Sequence, residues 1–172
     1  NNNGNLIFNN TLALALDRLT VVGNVTITNT GALTQTGSFR TNVSGTTSLS
    51  VGANAITLTA PLSAGIGNIF TGALTLSNSG ANDINILGTS NYILAASNIG
   101  RSLTLSTNGT VTQTGAIVSA NAGTLTVKTT NDTGSAITLT NASNEFTNVD
   151  LRARNLADSA NIAAAISYTD VT

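Results

Sequence analysis

A chain of 172 residues is long enough for one domain with its own core. Only 8% of the residues are charged and 3% aromatic, against 41% hydrophobic, with a net charge of −1, no His and no Cys. These values exclude disulfides and Cys/His zinc sites, and they argue against charge-driven disorder and against nucleic-acid binding, which needs a basic patch to neutralise phosphates.

Thr, Ser, Asn and Gly fill the polar surface instead, which favours strands and turns over helices. With so few aromatics, the core must be Val, Ile, Leu and Ala, a composition suited to a narrow interior lined by short strands. In chain order, Asn1 to Leu6 reads as a turn. Thr11 to Leu16 alternates but carries Ala on its second face, so it is either a strand buried on both sides or an early helical turn. Val25–Thr28, Leu74–Ser77, Leu103–Ser106, Leu125–Lys128 and Ile137–Thr140 each place two aliphatic side chains on one face and polar ones on the other, the pattern of half-buried strands. Gly- and Asn-containing corners separate them, at 29–31, 52–54, 78–80, 107–109, 121–123 and 131–134. Pro61 falls between strands, where a missing N–H does no harm. Leu156 to Ala165 is Ala-rich; the coil pattern is expected to override its helix propensity and make it strand.

A longer repeat emerges on alignment. TQTG at Thr34 to Gly37 returns at Thr112 to Gly115, AITLT at Ala55 to Thr59 returns at Ala136 to Thr140, and Phe70 with its neighbours returns at Phe146. Three markers in one order with nearly one offset indicate about two copies of a ~78-residue unit within a single repeat segment, 1–172. Dividing the unit by four gives a solenoid coil of about 20 residues. The expected fold is all-β, a right-handed parallel β-helix of roughly 8 coils, about 40 Å long at ~4.8 Å per coil.

The acids Asp17, Asp83, Asp132, Glu145, Asp150, Asp158 and Asp170 are spread singly. Asp83 and Asp158 lie near the repeat offset and read as equivalent corners, ~19 Å apart and too distant for a catalytic pair. No Gly-Gly occurs, so a calcium-binding nonapeptide is absent, and without His there is no common nucleophile triad. Arg152 and Arg154 would share one solvated strand face; Arg18, Arg40, Arg101 and Lys128 are scattered. No catalytic, cofactor or metal site is therefore assigned, and the chain is not expected to be an enzyme. A carbohydrate-active β-helix and an ice-binding solenoid remain as alternatives, the second because Thr-x-Thr elements recur, as at Thr26–Thr28, Thr57–Thr59, Thr112–Thr114 and Thr138–Thr140; unequal coil lengths count against it. The sequons at Asn24, Asn42 and Asn108 are expected by chance in so Asn- and Thr-rich a chain.

The phrases ALTQTGSF, GTTSLSVGANAITLT, NIFTGALTLSNSGANDINILG, GTVTQTGAIVSANAGTLTVKT and SAITLTNASNEFTNVDLRA resemble the repeat regions of filamentous haemagglutinin-like exoproteins, over Leu19 to about Ala165. The resemblance implies export by two-partner secretion through an outer-membrane partner, residence at the bacterial cell surface or in the medium, and a role as an adhesive shaft meeting host or bacterial cells. Asn1 to Leu6 is similar to Asn-rich motifs of that family's secretion domain but lacks their proline. No segment reaches the ~18 apolar residues of a membrane helix, and no signal peptide opens the chain. Since the sequence begins at Asn1, it reads as an excised or processed piece. Neither end is an obvious polar cap, so the segment is expected to continue into neighbouring repeats, and a lone fragment to stack end to end.

Overall fold

The computed structural model describes residues 4–36, 39–59 and 67–171. Asn1 to Asn3, Gly37 of the first TQTG and Pro61 lie outside the described residues.

Alternation of aliphatic and polar residues bends the chain into turns whose strands stack in parallel on the turn before. The first turn carries β1 (Leu6–Asn10), β2 (Leu14–Leu16) and β3 (Leu19–Val21). The second carries β4 (Val25–Asn29), β5 (Leu33–Gln35) and β6 (Thr41–Val43), and the third β7 (Thr47–Ser50), β8 (Ile56–Leu58) and β9 (Ile69–Phe70). Next come β10 (Leu74–Ser77), β11 (Ile84–Leu87) and β12 (Tyr92–Leu94), then β13 (Ser97–Ile99), β14 (Leu103–Thr107) and β15 (Val111–Gln113). The last are β16 (Ile117–Ser119), β17 (Thr124–Thr130), β18 (Ile137–Leu139), β19 (Asn148–Arg154) and β20 (Ile166–Tyr168).

Three faces result. The first stacks β1, β4, β7 and β10; the second stacks β2, β5, β8, β11, β14, β17 and β19; the third begins with β3, β6 and β9. At β10 the ladder forks, since Leu74 pairs with Leu94 while Ser77 pairs with Asn98. β13 and β16 carry the first face onward. The third continues across the Asn68–Gly88 bridge into β12, β15, β18 and β20.

The fold is thus an all-β parallel β-solenoid, with no helix among the described residues. The seven strands of the second face, one per turn, bound six full turns, not the eight expected. Turns are longer than expected because corners take up extra residues: Leu14 stacks on Leu33, a short step along the chain, whereas Ile56 stacks on Ile84, a much longer one. The stack is accordingly ~30 Å deep rather than ~40 Å.

The core is a set of aliphatic ladders. Ile27, Leu49 and Leu76 sit one above another on the first face, and Leu58, Ile86, Leu105 and Val127 do so on the second. All seven are at most 2% exposed. Each side chain lifted from water this way contributes ~1.5–3 kcal/mol before entropy is charged against it. Leu156 to Ala165 forms turns and an antiparallel bridge from Asn161 to Arg154, neither strand nor helix, because Asn155 caps its own loop through Ser159 N and Ala160 N. Thr11 and Leu12 are a bend before β2, and Leu12 is 73% exposed, so neither double-sided burial nor a helical turn holds there.

Corners are tight where the chain passes from the third face to the first. A Cβ on Gly23 would meet Gly4 O, one on Gly45 would meet the carbonyl carbon of Gly23, and one on Gly72 would meet Gly45 O. Backbones of successive turns touch along this glycine column, leaving no room for a side chain. Gly45→Ala is therefore expected to lower stability by more than the ~1 kcal/mol typical of a point change. Tyr92→Phe should move it the other way: the Tyr92 hydroxyl is buried without a hydrogen-bond partner, and removing it should raise stability by ~1 kcal/mol. Denaturant midpoints of the two variants against the parent chain measure both.

Candidate functional site: two buried amide clasps

The most elaborate polar arrangement among the described residues is a pair of buried side-chain amides, one in each repeat copy. Asn68 is 0% exposed, at the entry to β9. Its Oδ1 accepts from Thr41 N at 2.8 Å and Gln35 Nε2 at 2.9 Å. Its Nδ2 donates to Leu58 O at 3.0 Å, Leu87 O at 2.9 Å and Gln35 Oε1 at 3.1 Å. The Asn68 and Gln35 amides thus bond reciprocally, and their other partners come from the ends of β8 and β11, so that with Gln35 of β5 three successive turns of one face are joined, and from Thr41 N at the start of β6.

Asn144, 1% exposed, repeats the arrangement. Its Oδ1 accepts from Gln113 Nε2 at 2.8 Å and Ile117 N at 3.0 Å. Its Nδ2 donates to Gln113 Oε1 at 2.9 Å, Leu139 O at 3.2 Å and Thr169 O at 3.0 Å. Here the strands tied together are β15, β18 and β20. A buried amide costs free energy unless its atoms are satisfied, and both are. What the arrangement does is mechanical: it pins three turns in register where the chain leaves one face for the next.

The sequence markers are the parts of these clasps. The Gln of TQTG and the Asn standing two residues before Phe70 and Phe146 recur at the repeat offset because they bond to each other. Their pairing was not legible from spacing, since 33 residues separate Gln35 from Asn68. The signal was a Gln flanked by threonines inside a strand, where a solvent-facing Thr would serve equally well.

Of the acids expected to stand apart, Asp83, Asp150 and Asp158 are tied into local ion pairs, and Asp132 and Asp170 accept from the backbone N–H groups of Leu156 and Val171. Asp83 receives Arg101 Nε at 2.8 Å and Nη2 at 2.6 Å, and Ser102 N at 3.1 Å. The Arg101 guanidinium holds its carboxyl below the usual carboxylate range. Asn5 takes the same position in the first copy, accepting from Asn24 N at 2.9 Å. Asp83 is therefore the counterpart of Asn5 and not of Asp158, which corrects the expected equivalence. Asp158, in the turn after β19, accepts from Lys128 Nζ at 2.6 Å and Arg154 Nε at 2.9 Å, and these bonds lower its pKa, Lys128 contributing most.

Asp150 forms a two-bond pair with Arg152. Lys128 lies in register with Arg152, so these charges make one patch on the last turns of the second face. Arg152 and Arg154 flank the inward Ala153 and share the outer side, as expected. Arg18 stacks over the Phe39 ring at 3.8 Å. Among the sequon asparagines, Asn24 Oδ1 accepts from Thr46 N and Asn108 Oδ1 from Thr130 Oγ1. Among the described residues no group of three His, Cys, Asp or Glu could hold a metal ion.

Two concavities occupy the open ends of the stack. One of about 180 Å³ is lined, among the described residues, by the apolar side chains of Leu6, Phe8, Leu14, Leu16, Leu19 and Ile27. The other, about 490 Å³, lies between β19 and β20 and is lined by Leu151, Arg152, Ala153, Arg154, Asn161, Ile162 and Ile166, with no carboxylate among the described lining residues.

Replacing Asn68 by Leu would leave Thr41 N and the Leu58 and Leu87 carbonyls without that partner; a loss of ~2–4 kcal/mol is expected, with the same for Asn144→Leu. The two clasps share no partner, so the double variant should lose the sum. Chemical denaturation reads all three. Asp83 and Asp158 add stability above the ordinary carboxylate pKa, and it is lost as pH falls through their lowered values. Their partners are largely solvated, so the denaturation midpoint should drop only slightly between pH 5 and about pH 2, and the drop should shrink further in Asp83→Asn.

Residues 3–77 and 81–152 match the family described as repeats of unknown function (DUF5649), one match on each copy of the unit. No curated protein and no solved structure matches the chain. With both copies matched over most of its length, the chain belongs to the DUF5649 repeat family.

Proposed function

We propose that this chain is a structural and adhesive shaft segment of a secreted or surface-displayed bacterial exoprotein. The observation that carries the reading is the unbroken stack itself: aliphatic ladders run through six turns, and the two clasps lock register in each copy. A solenoid built this way resists bending and proteolysis, because few backbone groups can open without breaking bonds to the turns on both sides. Its outer faces carry Thr, Ser and Asn with little net charge, suited to many weak contacts with other cells or neighbouring filaments. The likeness to filamentous haemagglutinin-like repeats supports export through an outer-membrane partner and residence at the cell surface. In this reading the flanking partners are further repeats of the same chain, or another copy meeting the open apolar ends.

Displaying the chain between an outer-membrane anchor and an epitope tag tests the shaft. Inserting a second copy of residues 4–171 should move the tag outward, raising antibody access above the surface polysaccharide and cell–cell adhesion together. Unchanged access, or release of reducing ends when the purified chain is incubated with polysaccharides, would reject the shaft in favour of a carbohydrate-active enzyme.

A further inference from the structure

Strand by strand, the two copies align as one repeat. Leu6 corresponds to Ile84, Leu14 to Tyr92, Val25 to Leu103 and Leu33 to Val111, each displaced by the offset that separates the two TQTG markers. β1 to β10 thus correspond to β11 to β18, the bridge segment at Glu145 and then β19, and β20 opens the next copy. Among the described residues one copy therefore contains ten strand segments, while one turn contains three. Ten is not a multiple of three, so each copy begins one face further round than the copy before it. β5 and β8, in register at Thr34 and Thr57, stand on the second face. Their counterparts β15 and β18, in register at Thr112 and Thr138, stand on the third. The clasps move likewise, the first tying strands of the second face and the second tying strands of the third.

We infer that tandem copies of this repeat precess by one face each, so that any surface peculiar to the repeat winds round the rod and returns to the same side only after three copies. The junction between the copies shows that such a step leaves stacking intact: Ile84 and Ile86 pair in register with Ile56 and Leu58, and all four are at most 1% exposed.

The inference bears on what kind of partner the rod can take. A partner recognising one copy meets the next a third of a turn round the axis and ~16 Å along it, from three and a third turns at ~4.8 Å. Compact partners, each held by a single copy and arrayed helically, fit such a rod. A plane that must touch equivalent threonines in successive copies, such as an ice lattice, does not.

The chain has no Cys, so spin labels can be placed cleanly. Thr57 and Thr126 lie on the same face, connected in register through Asn85 and Thr104, whereas Thr138 is the repeat counterpart of Thr57. A Thr57→Cys/Thr126→Cys pair should give the shorter distance, ~14 Å plus linkers for three turns, and Thr57→Cys/Thr138→Cys the longer. The reverse order would mean that copies keep their face.

Extending the chain after Tyr168 with residues 87–168 adds a further copy in phase. A label at the added counterpart of Thr138 should then lie closer to one at Val118, on the first face, than to one at Thr138. A shorter distance to Thr138 would overturn the inference. So would failure of the extended chain to fold, since a copy that precesses stacks through the registers already present between β8 and β11.

Discussion

Parallel, in-register stacking of turns is the constraint from which the rest of this molecule follows. Once Ile27 sits on Leu49 and Leu49 on Leu76, each strand must keep both its length and its phase, because a slip of one residue would turn the aliphatic ladder outward. Differences in turn length cannot be absorbed within a strand. They are expelled at corners, which is why the step from Ile56 to Ile84 is so much longer than the step from Ile84 to Leu103 that follows it, while both strand pairs stay in register.

Corners carry the cost of this arrangement, and they show three solutions to it. Where backbones of successive turns touch, glycine is required, as at Gly23, Gly45 and Gly72. Where a strand end exposes backbone groups, a short polar side chain caps it, as Asn5 and Asp83 do in the two copies. Where the chain leaves one face for the next before Phe70 and Phe146, a buried amide ties three turns together. The last is the strongest device because each amide atom is satisfied by the backbone it organises, so the polar group specifies register without a desolvation penalty left over.

The ratio of ten segments to three per turn adds a property that belongs to no single turn. A repeat unit with a whole number of turns would stack its surface features in straight lines and make a rod with distinct sides. This one rotates them. A shaft whose copies each present their surface in a new direction suits contact from all round the axis, consistent with the adhesive role proposed above.

Much of the architecture was legible in the residues themselves. Strict alternation around Val25, Leu74, Leu103, Leu125 and Ile137 fixed five strands and their inward sides, because Cβ direction alternates whatever the strand pairs with. The recurring Asn and Gly corners marked the turns between strands, and the recurrence of TQTG, AITLT and the Phe-centred motif defined the copies. Only the tertiary structure decided the rest: six turns instead of eight, the loop in place of a strand at 156–165, the pairing of Gln35 with Asn68 and Gln113 with Asn144, and the rotation of one copy against the next. Each depends on which strand lies beneath which, and that is set by corner lengths and by contacts a full turn or more away along the chain, where a local pattern carries no information.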